Sequence, residues 1–171
     1  FEEIIKFEDQ IICVSEAKFS PDGKYLASAS WDKTIMIRNV EDWTTQYKLE
    51  GHINMINSID FNAESSILVS AGGNNAVGSF DNSIISWDVA TGEKLCQMNE
   101  HKTAIRKVLF DVNNGKVFSA SKDGEIKYTD PSNCELVATY VGTIDNEFAI
   151  YTPDNYYLSS RKALKGMAFR L

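Results

Sequence analysis

Histidine is almost missing from this chain. Its 171 residues include only His52 and His101. A His-rich metal site is therefore excluded, and any imidazole general base would have to be one of these two. Cysteine is scarce as well: Cys13, Cys96 and Cys134 lie far apart, with no C-x-x-C. This odd number at wide spacing argues against a disulfide framework and against a zinc site. It predicts three small strand residues in a reducing, cytoplasmic setting. Positive charge is in deficit, with a formal net charge of −7 and no Lys/Arg cluster. A nucleic-acid backbone and an acidic partner surface are thus poor partners. No apolar run nears the roughly 20 residues of a membrane span, and no signal-peptide pattern is visible. Neither G-x-G-x-x-G nor G-x-x-x-x-G-K-[ST] occurs, which leaves no phosphate-cradling motif and no implied cofactor. The first residue is Phe1 rather than Met, inside an expected strand, as in a fragment or the ordered part of something longer.

What the chain does have is ordinary globular material, 43% hydrophobic and 24% charged, enough for one domain with a core. It also has a long-period repeat. The aromatics Phe19, Phe61, Phe110 and Tyr151 stand 42, 49 and 41 residues apart. The longer step contains a Gly/Asn-rich insert, Gly72 to Ser79, between Ser70 and Asp81, where other copies run only from Ser28 to Asp32 or Ser119 to Asp123. A turn absorbs such an insert at little entropic cost. Each unit reads as four short strands. Alternation in Val14–Phe19 and Ile56–Phe61 leads to a turn such as Ser20-Pro-Asp-Gly23 or Thr152-Pro-Asp-Asn155. There Pro presets φ, and Gly or Asn tolerates a positive φ. A second strand follows (Tyr25-Leu-Ala-Ser-Ala, Ile67-Leu-Val-Ser-Ala, Lys116-Val-Phe-Ser-Ala, Tyr157-Leu-Ser-Ser), then a third and a fourth. Regular strands with turn punctuation and no helical period predict an all-β repeat architecture.

The residues also carry a family likeness. Gly51-His52, Phe61, Ser70-Ala71-Gly72, Asp81 and Trp87-Asp88 resemble the WD-repeat signature. Glu100-His101, Phe110, Ser119-Ala120-Ser121 and Asp123 form a second copy, and Phe19 to Thr34 follows that family's consensus closely. The resemblance implies a β-propeller of four-stranded antiparallel blades, about four in this chain, with the sequence repeat offset from the blade by one strand. By that offset, residues 1–9 are the fourth strand of a blade. Residues 10–50, 51–100 and 101–141 are repeats, and 142–171 form a divergent terminal repeat with a third strand near Met167-Ala-Phe-Arg170. Phe1–Glu8 would complete the last unit. The chain would then be half of a larger ring, or two copies would join.

His52, Ser70 and Asp81 invite a reading as a Ser-His-Asp triad. The resemblance implies something else: a structural network running Trp87–Ser70–His52–Asp81, repeated and eroded along the chain. Unit three keeps His101, Ser119 and Asp123 but has Thr129 in the Trp place. Unit one keeps Ser28 and Asp32 but has Gln10 and Arg38. The last keeps Ser160, with Gly142 in the His place. A mid-strand serine without nucleophile-elbow glycines suits the structural role. No enzyme is expected. Asp/Asn-rich stretches such as Asp111-Val-Asn-Asn-Gly115 sit at turns and lack calcium-loop spacing.

The resemblance also implies a partner-binding loop face. Residues just before each structural Asp (Trp31, Phe80, Lys122) and three and five after each His position (Cys13, Ser15, Met55, Asn57, Ala104, Arg106, Asp145, Glu147) would point there. Trp31, Phe80 and Met55 would be apolar anchors, Arg106 and Lys122 a basic sector, and Asp145 and Glu147 an acidic one. Aromatics and Arg dominate interface energies. Packing against neighbouring loops is the alternative for Trp31 and Phe80, and plain solvation the alternative for Arg106 and Lys122. The expected function is a non-catalytic scaffold for a protein or peptide partner, with self-association or the remaining blades of a larger propeller as further partners. The alternative is a regulatory propeller of a multidomain enzyme, because Tyr151–Gly166 resembles the closing repeat of bacterial propellers that precede caspase-like peptidases.

Overall fold

A computed structural model describes residues 5–74, 82–142, 147–154 and 156–160. Among them fourteen strands form three antiparallel sheets. Sheet one is the meander β1 (Val14–Phe19), β2 (Tyr25–Ser30), β3 (Thr34–Asn39) and β4 (Thr45–Glu50). Sheet two repeats it with β5 (Ile56–Phe61), β6 (Ile67–Gly72), β7 (Ile84–Asp88) and β8 (Lys94–Met98). Sheet three contains β9 (Ile105–Asp111), β10 (Lys116–Ser121), β11 (Glu125–Thr129) and β12 (Leu136–Gly142). It continues outward through β13 (Phe148–Tyr151) and β14 (Tyr157–Ser159), in the order β14-β13-β12-β11-β10-β9.

Two expectations about the ends are corrected. β13 and β14 open no sheet of their own. The hairpin pairs with the free edge of β12 (Thr139 with Tyr151, Gly142 with Phe148), satisfying backbone groups that the edge would otherwise expose. Residues 5–9 form no strand. They lie beside the outer turn of sheet one, with the Phe7 and Trp43 ring centroids 6.1 Å apart. Residues 1–4 and the expected third strand near Met167 lie outside the described residues.

The turns owe their shape to side chains that accept backbone N–H groups. In the first, Gly23 takes φ 75° and donates to Ser20 O (2.9 Å). Asp22 accepts from Ser20 Oγ and from Lys24 N, and these bonds hold its carboxyl down at about 2. In the second unit Asn62 Oδ1 accepts from Ser66 N and Ile67 N.

A bulge recurs in the innermost strand of every sheet. The register skips Ser15 in β1, Asn57 in β5 and Arg106 in β9. A bulge re-aims its extra residue, and here it aims two of them at the next sheet. Ser15 Oγ donates to Ile56 O (2.7 Å), and Asn57 Nδ2 to Ile105 O (2.8 Å).

The sheets stack face to face, and the core lies in the two seams between them. Between sheets one and two, Ala27, Ala29, Ile35, Ile37 and Leu49 meet Ile56, Ile59, Phe61, Leu68, Ile85 and Trp87. Between sheets two and three the cluster is smaller: Val69, Ala71, Ile84 and Met98 meet Ile105, Val108 and Val117. Phe61 is 6% exposed in its seam, whereas Phe19, at the same repeat position with no sheet before it, is 59% exposed. At the opposite end Leu109, Phe118, Ile126 and Tyr140 line an apolar hollow on sheet three that no further sheet covers among the described residues.

The seams carry polar ties as well. Glu16 accepts from Ser58 Oγ, Ile59 N and Lys107 Nζ, joining all three inner strands. Burial pushes the Glu16 carboxyl up, but the bonds from Lys107, Ile59 N and Ser58 outweigh it and leave it below its ordinary value. Asp60 pairs with Lys18 (2.7 Å) and accepts from Phe110 N (2.8 Å).

The cysteine expectation fails. Cys96 on β8 and Cys134 in the turn after β11 form a disulfide, leaving Cys13 free and exposed. Odd number and wide spacing misled because the pairing is between sheets: the repeat brings residues 38 apart in sequence to one rim. Cysteine usage accordingly gives no ground for a reducing compartment.

Candidate functional site

In sheet two the serine network closes tightly. Trp87 Nε1 donates to Ser70 Oγ at 2.8 Å, and His52 Nε2 shares a 2.8 Å bond with the same oxygen. Ser70 is fully buried, and its Oγ also reaches Ile85 O at 3.4 Å. A hydroxyl sealed from solvent and engaged from three sides is no nucleophile; it fixes the register of β6 against β7. Asp81 lies outside the described residues.

In sheet three, His101 Nε2 bonds Ser119 Oγ (2.7 Å). Thr129 cannot reach across as a tryptophan does and turns to Val117 O (3.4 Å). Burial, and then the nearby Lys127 ammonium, push His101 down to about 4, so it is neutral at pH 7. His101, Asp123 and Glu125 bring ligand atoms within 4.8 Å of one another. The cation there is Lys127, 3.3 Å from Glu125, and Asp123 already accepts from Ser121 Oγ and Glu125 N. That arrangement needs no metal ion.

Sheet one corrects the picture of plain erosion, because its network is rebuilt from other residue types. Ser28 Oγ donates to Gln10 Oε1 (2.7 Å) and accepts from Arg38 Nη1 (3.0 Å). Gln10 thus stands in for histidine and Arg38 for tryptophan. Arg38 is only 1% exposed, pairs with Asp9, and lies with its guanidinium 4.1 Å from the Phe7 ring centroid. A buried cation requires such partners. Asp32, the unit's structural aspartate, accepts from Thr34 N and from Ile11 N.

The residues expected on the loop face divide into two kinds. Trp31 and Lys122 occupy equal places: each N–H donates to the carbonyl three residues past the His position, Cys13 O (3.0 Å) and Ala104 O (3.1 Å). Both side chains are exposed, and so is Arg106. Met55 is half-buried, and its carbonyl accepts from Gly73 N. Ala104 is fully buried. Asn57 and Ser15 are half-buried; they sit at the bulges, and their polar hydrogens are taken by neighbouring carbonyls, for each residue one of them in the next sheet. Glu147 accepts from Ser160 Oγ in the last hairpin. Phe80, Asp145 and the insert from 75 onward lie outside the described residues. Two positions escaped the sequence reading: Ile11 and Ile53, each one residue past the His position, are 85% and 71% exposed. An isoleucine repeated at a turn position was the available signal.

Comparison with known proteins agrees with this geometry. The family model described as "WD domain, G-beta repeat" matches residues 2–39, 43–88 and 92–130. Protein HIR1 of Kluyveromyces lactis is 28% identical over 90% of this chain, and Protein hir1 of Schizosaccharomyces pombe likewise 28% identical over 90%. Protein HIR1 of Eremothecium gossypii is 35% identical over 67% of it. The chain spans 15–20% of the length of these relatives. The solved structure of U3-55K superposes with a TM-score of 0.71 at 16% identity, covering 89% of this chain and 53% of that one. A four-stranded meander recurring in all three sheets around a serine-centred lock, matched by that family model over most of the sequence, makes the chain a member of the WD-repeat family of β-propellers.

Proposed function

We propose that this chain is a non-catalytic interaction scaffold that binds a protein or peptide through its loop face. The observation that carries the reading is the set of exposed apolar side chains at repeated turn positions: Ile11, Ile53 and Trp31, the last 41% exposed. Exposed large apolar groups at equivalent turn positions of successive units suit a contact surface, and exposed Arg106 and Lys122 would add a basic sector to it. A partner segment with an apolar anchor and an acidic group fits this face. The internal positions point away from chemistry, since both histidines are spent on buried serines. The relatives bear the name HIR1 and lend the peptidase-linked alternative no support.

The two outer faces, around Phe19 and around Phe118, are covered by no further sheet among the described residues, which supports reading the chain as part of a larger ring, closed by further blades or by a second copy. The test of the loop face is a pull-down comparing the native protein with Trp31→Ala/Arg106→Glu. Partners should be lost while the thermal midpoint stays unchanged; retained binding overturns the assignment.

A further inference from the structure

At the outer rim the two seams share one contact: a fourth-strand residue of one sheet meets the turn after the third strand of the next. The corresponding turn of sheet one is met by the segment before β1, and in all three turns the contacted residue has a left-handed φ: Trp43 (62°), Gly92 (73°) and Cys134 (63°). The turns are superposable in their bonds, because Trp43 N donates to Asn39 O, Gly92 N to Asp88 O and Cys134 N to Asp130 O, all at 2.8–2.9 Å. The partners differ. Phe7 meets Trp43. Tyr47 lies flat over Gly92, so closely that a Cβ there would come within 2.7 Å of the ring, and donates its hydroxyl to Ala90 O (2.5 Å). At the third rim Cys96 takes the tyrosine's place and Cys134 the glycine's, and the contact is covalent.

From this substitution we infer that Cys96 and Cys134 form a modification site for thiol–disulfide exchange, which takes glutathione-class disulfides and dithiol reductants and sets how firmly sheet three is held to sheet two. Three features support it. Both cysteines are only half-buried on an outer rim, so a small thiol can approach the bond. The seam beneath is the weaker of the two, with the smaller apolar cluster and with Thr129 where the other seam has Trp87. The reduced state also has somewhere to go. The Cys96 sulfur lies 3.4 Å from Pro131 O and 3.2 Å from Ser86 Oγ, so a thiol formed there has polar neighbours, and Ser86 Oγ keeps its own bond to Pro131 O (2.8 Å). Opening the bond thus exchanges a covalent clasp for weak hydrogen bonds without tearing the rim apart.

The chemistry balances within that class. A glutathione disulfide accepts attack by one cysteine thiolate and releases one glutathione thiol. The resulting mixed disulfide is attacked by the second cysteine, which releases the second glutathione. Two cysteine thiols are oxidised to one disulfide and one glutathione disulfide is reduced to two thiols; a dithiol reductant runs the opposite course.

The experiment equilibrates the native 171-residue chain, carrying Cys13→Ser to remove the exposed third thiol, in a series of reduced-to-oxidised glutathione ratios. Thiol labelling measures the oxidised fraction. Hydrogen exchange is followed in the turn 130–136, with the turns 39–44 and 88–93 as internal references. Exchange at 130–136 should rise by about tenfold or more on reduction, in step with labelling, while the reference turns stay within about twofold. Cys96→Tyr/Cys134→Gly, which copies the second rim, should be protected at every ratio, and Cys96→Ser/Cys134→Ser should exchange as the reduced protein does. Equal protection at 130–136 in oxidised and reduced protein overturns the inference, as does a protein whose thiols label fully even in the most oxidising buffer.

Discussion

The seam between sheets one and two and the seam between sheets two and three join equivalent surfaces by different means. The first is closed by Trp87, which fills the apolar cluster and at the same time donates to Ser70. The second has lost that tryptophan and gained a disulfide at its rim. At the outer end of sheet one the same position holds Arg38, where the described residues form no further sheet, and the residues before the first strand supply its counter-charge and ring. One serine scaffold therefore supports three closures: an aromatic one suited to a dry seam, a covalent one where the seam is thin, and a charged one where only a strap of chain covers it.

The difference can be broken at its strongest point first. Trp87→Ala should cost about 3–5 kcal/mol, because it opens a cavity in the first seam and removes a donor from Ser70. Urea denaturation at pH 7 checks this, and hydrogen exchange should place the loss at β2 and β6 rather than at β10. Removing the clasp from the other seam, with Cys96→Ser/Cys134→Ser, should cost about 2–4 kcal/mol, and adding reductant to the native protein should reproduce most of it. If reductant lowers the melting point of the double-serine variant as well, the clasp is not the cause.

A third substitution addresses the charged closure. Asp9→Asn leaves the Arg38 guanidinium buried against a neutral partner. Since Asp9 is itself 40% exposed, the loss should be modest, about 1–2 kcal/mol. Raised salt should narrow the gap between variant and native protein only slightly, because the guanidinium side is shielded from ions.

A further effect is set by pH. His101 titrates near 4 when folded and near its ordinary value when unfolded. Between those values the unfolded chain binds the extra proton, so stability from this group is complete above about 6.5 and falls as pH is lowered toward 4. The urea midpoint should therefore drop between pH 7 and pH 5. His101→Gln, which copies Gln10, should flatten that slope; an unchanged slope would assign it to other groups.

Much of this was legible before any coordinates. Period, strand order and the serine at the middle of each second strand follow from alternation and turn chemistry, because each repeat must bury the same faces. Gln10 and Arg38 look like decay in the sequence, which shows residue type and not the partner that makes a buried arginine tolerable. The bonds of Asn57 and Ser15 to the next sheet are not legible, because a one-residue bulge leaves no mark in composition. The disulfide was invisible for a related reason. The two cysteines belong to different units, and only the phase of the repeat (Tyr47 above Cys96, Gly92 above Cys134) brings them together. The last hairpin went to the edge of β12 because pairing with an open edge satisfies its backbone at once.

Glu16 adds a kinetic side to the architecture. Repeat arrays made only of nearest-neighbour contacts can fold unit by unit, each addition independent of later ones. The carboxylate of Glu16 is bonded both to β5 and to Lys107, 91 residues along the chain, so its final environment exists only once the third sheet has arrived. Until then it is a part-buried anion with its cation missing. The first two sheets are thereby left short of full stability while they wait, and the assembly is pushed toward folding as one cooperative unit rather than as a string of independent ones.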